Sequence, residues 1–227
     1  MDIQLHYTRY GSGEPLLLLH GNGEDSTYFV HQIEEFSKDF TVYAIDTRGH
    51  GKSPKGTAPF TLSQFADDLL DFMDSHGLEQ PNILGFSDGG NIALIFALRH
   101  PERIRRLILC GANLFPEGLQ ERLLAAMWRK YESFKLENTP EADFNCQLFR
   151  LMLDEPQIAP AELSRLTMPT LVIAGEKDMV QDSHTRLIAA NIPGARLSII
   201  PGDHFIAAKE PAAFNAEVRA FFEEETL

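Results

Sequence analysis

Residues 82–94 read Asn82-Ile83-Leu84-Gly85-Phe86-Ser87-Asp88-Gly89-Gly90-Asn91-Ile92-Ala93-Leu94, and the rest of the chain can be placed around them. A short apolar run leads into a glycine-flanked turn, and an apolar segment follows that opens a helix. The stretch therefore predicts a strand, a sharp corner and a helix in direct succession. Ser87 stands at the corner, with Gly85 two residues before it, Gly89 two after, and Gly90 adding room. A side chain at either flanking position would crowd so tight a backbone, and such a corner lifts the serine hydroxyl clear of the strand ends.

Outward from this corner, further apolar runs cover Ile3 to Tyr10, Pro15 to Leu19, Thr41 to Ile45, Ile104 to Leu109, Thr170 to Ala174 and Arg196 to Ile200. They read as strands. Leu16 to Leu19, Ile104 to Leu109 and Leu171 to Ala174 are apolar at consecutive positions, as strands covered on both faces by helices should be. Between the runs lie helical patterns. Leu62, Phe65, Leu69, Phe72 and Met73 recur at helical spacing from Thr61 to His76, with a Thr61/Gln64 capping box before them and Gly77 as a stop. Phe214, Val218, Phe221 and Phe222 give the last helix an apolar face, with Pro211 suited to its first turn. Strand and helix alternate, so the fold class is α/β with a mostly parallel sheet, right-handed crossovers and a ligand site at the strand carboxyl ends.

One stretch breaks the alternation. Residues 113–165 hold two amphipathic patterns and no strand signal: Leu119, Leu123, Met127, Tyr131 and Phe134, then Phe144, Leu148, Leu151 and Met152. We read it as a helical insertion within a single domain spanning 1–227.

The chain carries 20 Lys and Arg against 33 Asp and Glu, a formal net charge of −13. That balance argues against a nucleic-acid or anionic-membrane surface, which needs clustered cations. No run approaches the length of a membrane span. The two cysteines, Cys110 and Cys146, suggest neither a disulfide framework nor a metal cluster, which points to a reducing, cytoplasmic setting.

A nucleophilic serine needs a base that titrates near neutrality. Of eight histidines, His204 alone follows a late strand in a loop, Pro201-Gly202-Asp203-His204-Phe205, that reaches the same sheet edge as Ser87. His20 and His50 lie in glycine-rich turns suited to hydrogen bonding, and the remaining five read as surface or helical positions without evident partners. A carboxylate must hold the imidazole, and Asp178, in Gly175-Glu176-Lys177-Asp178 after the strand ending at Ala174, gives the order Ser, Asp, His. Glu176 and Asp182 are the rival acids. His20-Gly21-Asn22-Gly23 leaves the Leu16 to Leu19 strand at the matching end, so the backbone amides of Asn22 and Asp88 are the candidate oxyanion donors. Asp88 also reads as a carboxylate favoured by a helix N-terminus. Trp128, with Met127 and Tyr131, reads either as the mouth of a site or as packing against the sheet.

These motifs, together with Asp46-Thr47-Arg48-Gly49-His50-Gly51-Lys52-Ser53 and Glu210-Pro211, resemble the α/β-hydrolase family in family order over nearly the whole chain. The resemblance implies that the strands carrying Asn22 and Ser87 are neighbours, that 113–165 forms a small helical lid, and that no cofactor or metal is used. The family commonly begins with two antiparallel strands, and this chain resembles it from the second. Serine at the elbow separates it from relatives that use aspartate there. The Phe86 to Gly90 stretch is similar to the valacyclovir-hydrolase-like branch, in which the acid after the nucleophile recognises a substrate amine, so Asp88 acquires a second reading as a site for a cationic acyl group.

The expectation is a serine hydrolase acting on a small-molecule ester or related acyl substrate through an acyl-enzyme. Two other classes keep the same residues: a hydrolase-fold small-molecule receptor with slow turnover, and a cofactor-free lyase, perhydrolase or carbon–carbon hydrolase. Oligomeric state is left open.

Overall fold

A computed structural model describes residues 2–224. Among these residues seven strands form one sheet: β1 (Tyr7–Tyr10), β2 (Glu14–Leu19), β3 (Phe40–Ile45), β4 (Asn82–Phe86), β5 (Arg106–Cys110), β6 (Thr170–Lys177) and β7 (Arg196–Asp203), in the order β1-β3-β2-β4-β5-β6-β7. All neighbours are parallel except β1, which pairs antiparallel with β3 at the edge.

The leucine run of β2 shows why the sheet is covered twice. Leu17 and Leu19 point into one core with Phe65, Leu69, Ile92 and Phe96, while Leu16 and Leu18 point into another with Phe29, Phe36, Phe214 and Phe221. All four are at most 1% exposed, and full burial contributes about 2 kcal/mol for each such side chain. Helices α2 (Leu62–Ser75), α3 (Asp88–Arg99) and α6 (Asp182–Asn191) cover the first face. Helices α1 (Val30–Phe36), α7 (Ile206–Lys209) and α8 (Pro211–Glu223) cover the second.

Local signals set the helix ends. Thr61 Oγ1 accepts the Gln64 N–H at 3.1 Å, but the Gln64 side chain turns to Asp68 Oδ1 at 3.1 Å instead of back to the cap, so the expected capping box is half formed. Gly77, at φ 63°, closes α2 with Leu78 N–H on Met73 O at 2.9 Å and Gly77 N–H on Asp74 O at 3.3 Å.

Between β5 and β6 lie α4 (Glu121–Lys135) and α5 (Pro140–Asp154). The two pack on each other, with Phe134 edge-on to Phe149 at 5.7 Å. No residue of α4 is fully buried. Packing of Met127 and Tyr131 against the sheet is therefore not what the chain does: its apolar stripe meets α5.

Three strand ends depart furthest from the sequence reading. The run from Ile3 to Tyr10 pairs only from Tyr7, because Asp2 accepts bonds from Arg48 and from the Thr57 and Ala58 N–H groups and draws the preceding residues across that turn. At the other side, β6 and β7 run three residues beyond Ala174 and Ile200, and this extension delivers the site. Among the described residues no helix is long and apolar enough to cross a membrane.

Candidate active site

Leu19 pairs with Gly85, so β2 and β4 are adjacent and the loops that follow them emerge side by side. Ser87 sits between β4 and α3 at φ 53°, the one non-glycine residue with positive φ among those described. Such a conformation costs about 1–3 kcal/mol and persists only where its surroundings hold it. Here Ser87 N–H donates to Cys110 O at 2.8 Å and Ser87 O accepts from Asn91 N–H at 3.0 Å. The flanking glycines are required sterically: a Cβ at Gly89 would strike the carbonyl of Leu19, and one at Gly85 the carbonyl of Gly89.

Asp178 and His204 come immediately after the last residues of β6 and β7, which Lys177 and Asp203 still pair. His204 Nδ1 lies 2.7 Å from Asp178 Oδ1, and His204 Nε2 lies 3.0 Å from Ser87 Oγ. Asp178 is 7% exposed and His204 5%. An ionised carboxylate only accepts, so the imidazole proton sits on Nδ1 and Nε2 is left to accept from the serine hydroxyl. Asp178 Oδ1 also accepts the Val180 N–H at 2.8 Å, which fixes the carboxylate. Of the rival acids, Glu176 is exposed and Asp182 pairs with Arg186 at 2.8 Å on α6.

Gly111, unremarked in the sequence, makes room for the imidazole. At φ 62° it lies where a Cβ would come within 2.7 Å of His204 Cε1. Its only sequence signal is a glycine directly after a strand.

The His20 to Gly23 loop is held from three sides. His20 Nδ1 donates to Gly21 O at 2.7 Å and His20 Nε2 accepts the Thr47 N–H at 3.0 Å, an arrangement open only to the neutral ring with its proton on Nδ1. Burial keeps it so, pushing the His20 pKa down to about 4. In a planar trans peptide C=O and N–H point in opposite directions, so the bond to Gly21 O turns the Asn22 N–H away from His20. Glu24 Oε2 accepts the Gly21 N–H at 3.2 Å, and burial raises its carboxyl to about 6. Among the described residues, neither the Asn22 nor the Asp88 backbone N–H has an acceptor.

Asp88 is 6% exposed, and its pKa is raised to about 6 by burial. Its Oδ2 accepts from Asn22 Nδ2 at 2.8 Å and its Oδ1 from Asn91 Nδ2 at 3.4 Å. The helix-start reading thus omits two side-chain donors. Trp128 stands on α4, 43% exposed and edge-on to Tyr131 at 5.8 Å. His184 is not a surface residue: it is 5% exposed and its Nε2 accepts the Leu114 N–H at 2.9 Å.

The Asp46 turn supports this edge from below. Asp46 accepts from Ser26 N–H at 2.8 Å, Lys52 N–H at 2.9 Å and His6 Nδ1 at 2.9 Å. Arg48 is fully buried, bidentate on Asp68 at 2.7 and 2.6 Å, with Asp2 at 2.6 Å.

The family model described as the alpha/beta hydrolase fold matches residues 14–155. The chain belongs to the α/β-hydrolase fold family. This hydrolase is 31% identical to the serine hydrolase BPHL of Mus musculus, over 97% of its own length and 84% of the relative's. It superposes on the enol-lactonase of Burkholderia xenovorans LB400 with a TM-score of 0.81 at 26% identity, covering 98% of this chain and 97% of the other. A thermophilic esterase from Thermogutta terrifontis gives a TM-score of 0.82 at 25% identity, with coverages of 97% and 93%.

Proposed function

We propose that this hydrolase cleaves small carboxylic esters by two-step acyl transfer, with Ser87 as nucleophile, His204 as general base and then acid, and Asp178 as the carboxylate that orients and stabilises the imidazolium. The observation that carries this reading is the hydrogen-bonded line Ser87 Oγ, His204 Nε2, His204 Nδ1, Asp178 Oδ1, with separations of 3.0 and 2.7 Å. In the first step His204 takes the hydroxyl proton while Ser87 Oγ attacks the carbonyl carbon. The tetrahedral oxyanion is met by the Asn22 and Asp88 amides, each such donor contributing about 3 kcal/mol to the transition state. Collapse expels the alcohol with the proton from His204, and water repeats the sequence on the acyl-enzyme.

Residues 113–165 serve as the helical lid, since Leu148 of α5 bonds to Asn22 above the strand ends. Two free cysteines, Cys110 and Cys146, support a reducing, cytoplasmic setting. A net charge of −13 suits neutral or cationic small substrates better than polyanions.

A second reading concerns the acyl group. Asp88 adjoins Ser87, is buried, and is bonded by two neutral carboxamides rather than by a cation. Such a carboxylate favours an ammonium group on the acyl chain, as in aminoacyl esters.

Turnover of p-nitrophenyl acetyl, long-chain and aminoacyl esters by wild type, Ser87→Ala and Asp88→Asn tests both. Activity lost with Ser87→Ala supports acyl transfer, and a preference for aminoacyl over neutral esters that disappears in Asp88→Asn supports the ammonium subsite. Wild-type protein that hydrolyses none of these esters would sink the first reading, and unchanged selectivity in Asp88→Asn the second.

A further inference from the structure

The Asn22 side chain has two N–H hydrogens, and both are used. Nδ2 lies 2.8 Å from Asp88 Oδ2 on the elbow and 3.0 Å from the Leu148 carbonyl oxygen in α5. Both partners are acceptors only, so the orientation of the carboxamide is fixed by chemistry. A second arm leaves the same carboxylate. Asn91 Nδ2 reaches Asp88 Oδ1 at 3.4 Å and Asn113 Oδ1 at 3.0 Å, while Asn91 Oδ1 accepts the Asn113 N–H at 2.9 Å. Asn113 Nδ2 then donates to Phe115 O at 3.1 Å.

The two arms reach different parts of one segment. Asn113 and Phe115 lie where the chain leaves β5 for 113–165, and Leu148 lies in its second long helix. Between them stands Asp88, the one charged group in a line otherwise built of neutral amides. A buried carboxylate retains its partners strongly, because losing one leaves an unsatisfied anion in a dry place.

We propose that the Asn22 carboxamide is a positioning residue that ties helix α5 directly to the oxyanion loop and both of them to Asp88, so that the seat of α5 and the aim of the Asn22 backbone N–H are set together. The inference rests on the acyl-transfer reading, in which that N–H meets the oxyanion. With α5 seated, Asn22 is clamped between elbow and helix. With α5 displaced, the carboxamide loses one of its two acceptors and the loop a restraint, so the donor is less well placed for the charge that develops in the transition state. The effect falls on kcat rather than on binding of a small ester.

The test combines amide hydrogen exchange with steady-state kinetics on p-nitrophenyl acetate, comparing wild type with Asn22→Ala and with Asn22→Leu, which keeps a similar shape, removes the donors and adds no charge beside Asp88. In both variants exchange in residues 140–154 should rise about tenfold with β4 and β5 unchanged, and kcat should fall about tenfold or more while KM stays within about twofold. Asn22→Ser, whose hydroxyl cannot span both acceptors, carries the same expectation should either variant fail to fold. Unchanged exchange across α5, or wild-type kcat in Asn22→Leu, overturns the tether. Wild-type protein that takes no label from a fluorophosphonate overturns the acyl-transfer reading and the kcat half with it, leaving the exchange comparison to decide the tether alone.

Discussion

His204 Nδ1 and Asp178 Oδ1 are 2.7 Å apart, and the same carboxylate oxygen holds the Val180 N–H at 2.8 Å, so the Asp178 carboxylate is anchored to its own loop as well as to the imidazole. An amide in its place can present its N–H to the ring and favour the other tautomer. Asp178→Asn is therefore expected to fold normally and lose about 10³–10⁴ in kcat on p-nitrophenyl acetate. A loss below tenfold would mean that Glu176 or another group holds the imidazole.

Room for His204 depends on Gly111. Gly111→Ala places a methyl where only 2.7 Å separates it from His204 Cε1, at a backbone φ of 62° that alanine disfavours. Displacing the ring by about 1 Å costs about 10² in rate. The expected result is a variant with native circular dichroism and about a hundredfold lower kcat, checked against the same ester.

Asp88 links the site to the pH dependence of stability. Its folded pKa, about 6, lies above the ordinary 3.8, so between these values the folded chain holds a proton that the unfolded chain has lost. Stability from this group is thus full below about pH 4, falls as pH rises toward 6, and is level above it; the interval corresponds to about 3 kcal/mol at most. Urea unfolding from pH 4 to 8 should show the wild type losing stability relative to Asp88→Asn across that window. Parallel curves would contradict the assignment.

Arg48 tests the frame beneath the site. It is fully buried between Asp68, itself almost fully buried, and the partly exposed Asp2. Arg48→Ala strands the Asp68 charge and should cost about 3–5 kcal/mol in urea unfolding, whereas Arg48→Met with Asp68→Leu should recover most of it, because a well-packed apolar pair replaces a desolvated ionic one.

What the sequence makes legible follows from where its signals are strong. The Leu16 to Leu19 run marks a strand buried on both faces because every position is apolar, and Ser87, Asp178 and His204 can be singled out as candidates because each follows such a run in a glycine-rich loop. The ends of β6 and β7 are not legible, since the close approach of Gly175 to the Gly202 and Asp203 carbonyls is made by backbone and leaves no side-chain pattern. Gln64 reads as half of a capping box, but Asp68, one turn on, competes for it. The shortened β1 reflects an ion pair between Asp2 and Arg48, 46 positions apart. His184 and the Asn91 to Asn113 link are equally silent, because their partners come from other parts of the chain.

The most direct measurement is mass spectrometry of the intact protein and its peptides after treatment with a fluorophosphonate at neutral pH. One equivalent of adduct on the peptide containing Ser87, absent in Ser87→Ala and much slower to form in His204→Ala, is the predicted result. Folded wild-type protein that remains unlabelled, or that carries the adduct on another residue, would contradict the assignment of Ser87 as the nucleophile.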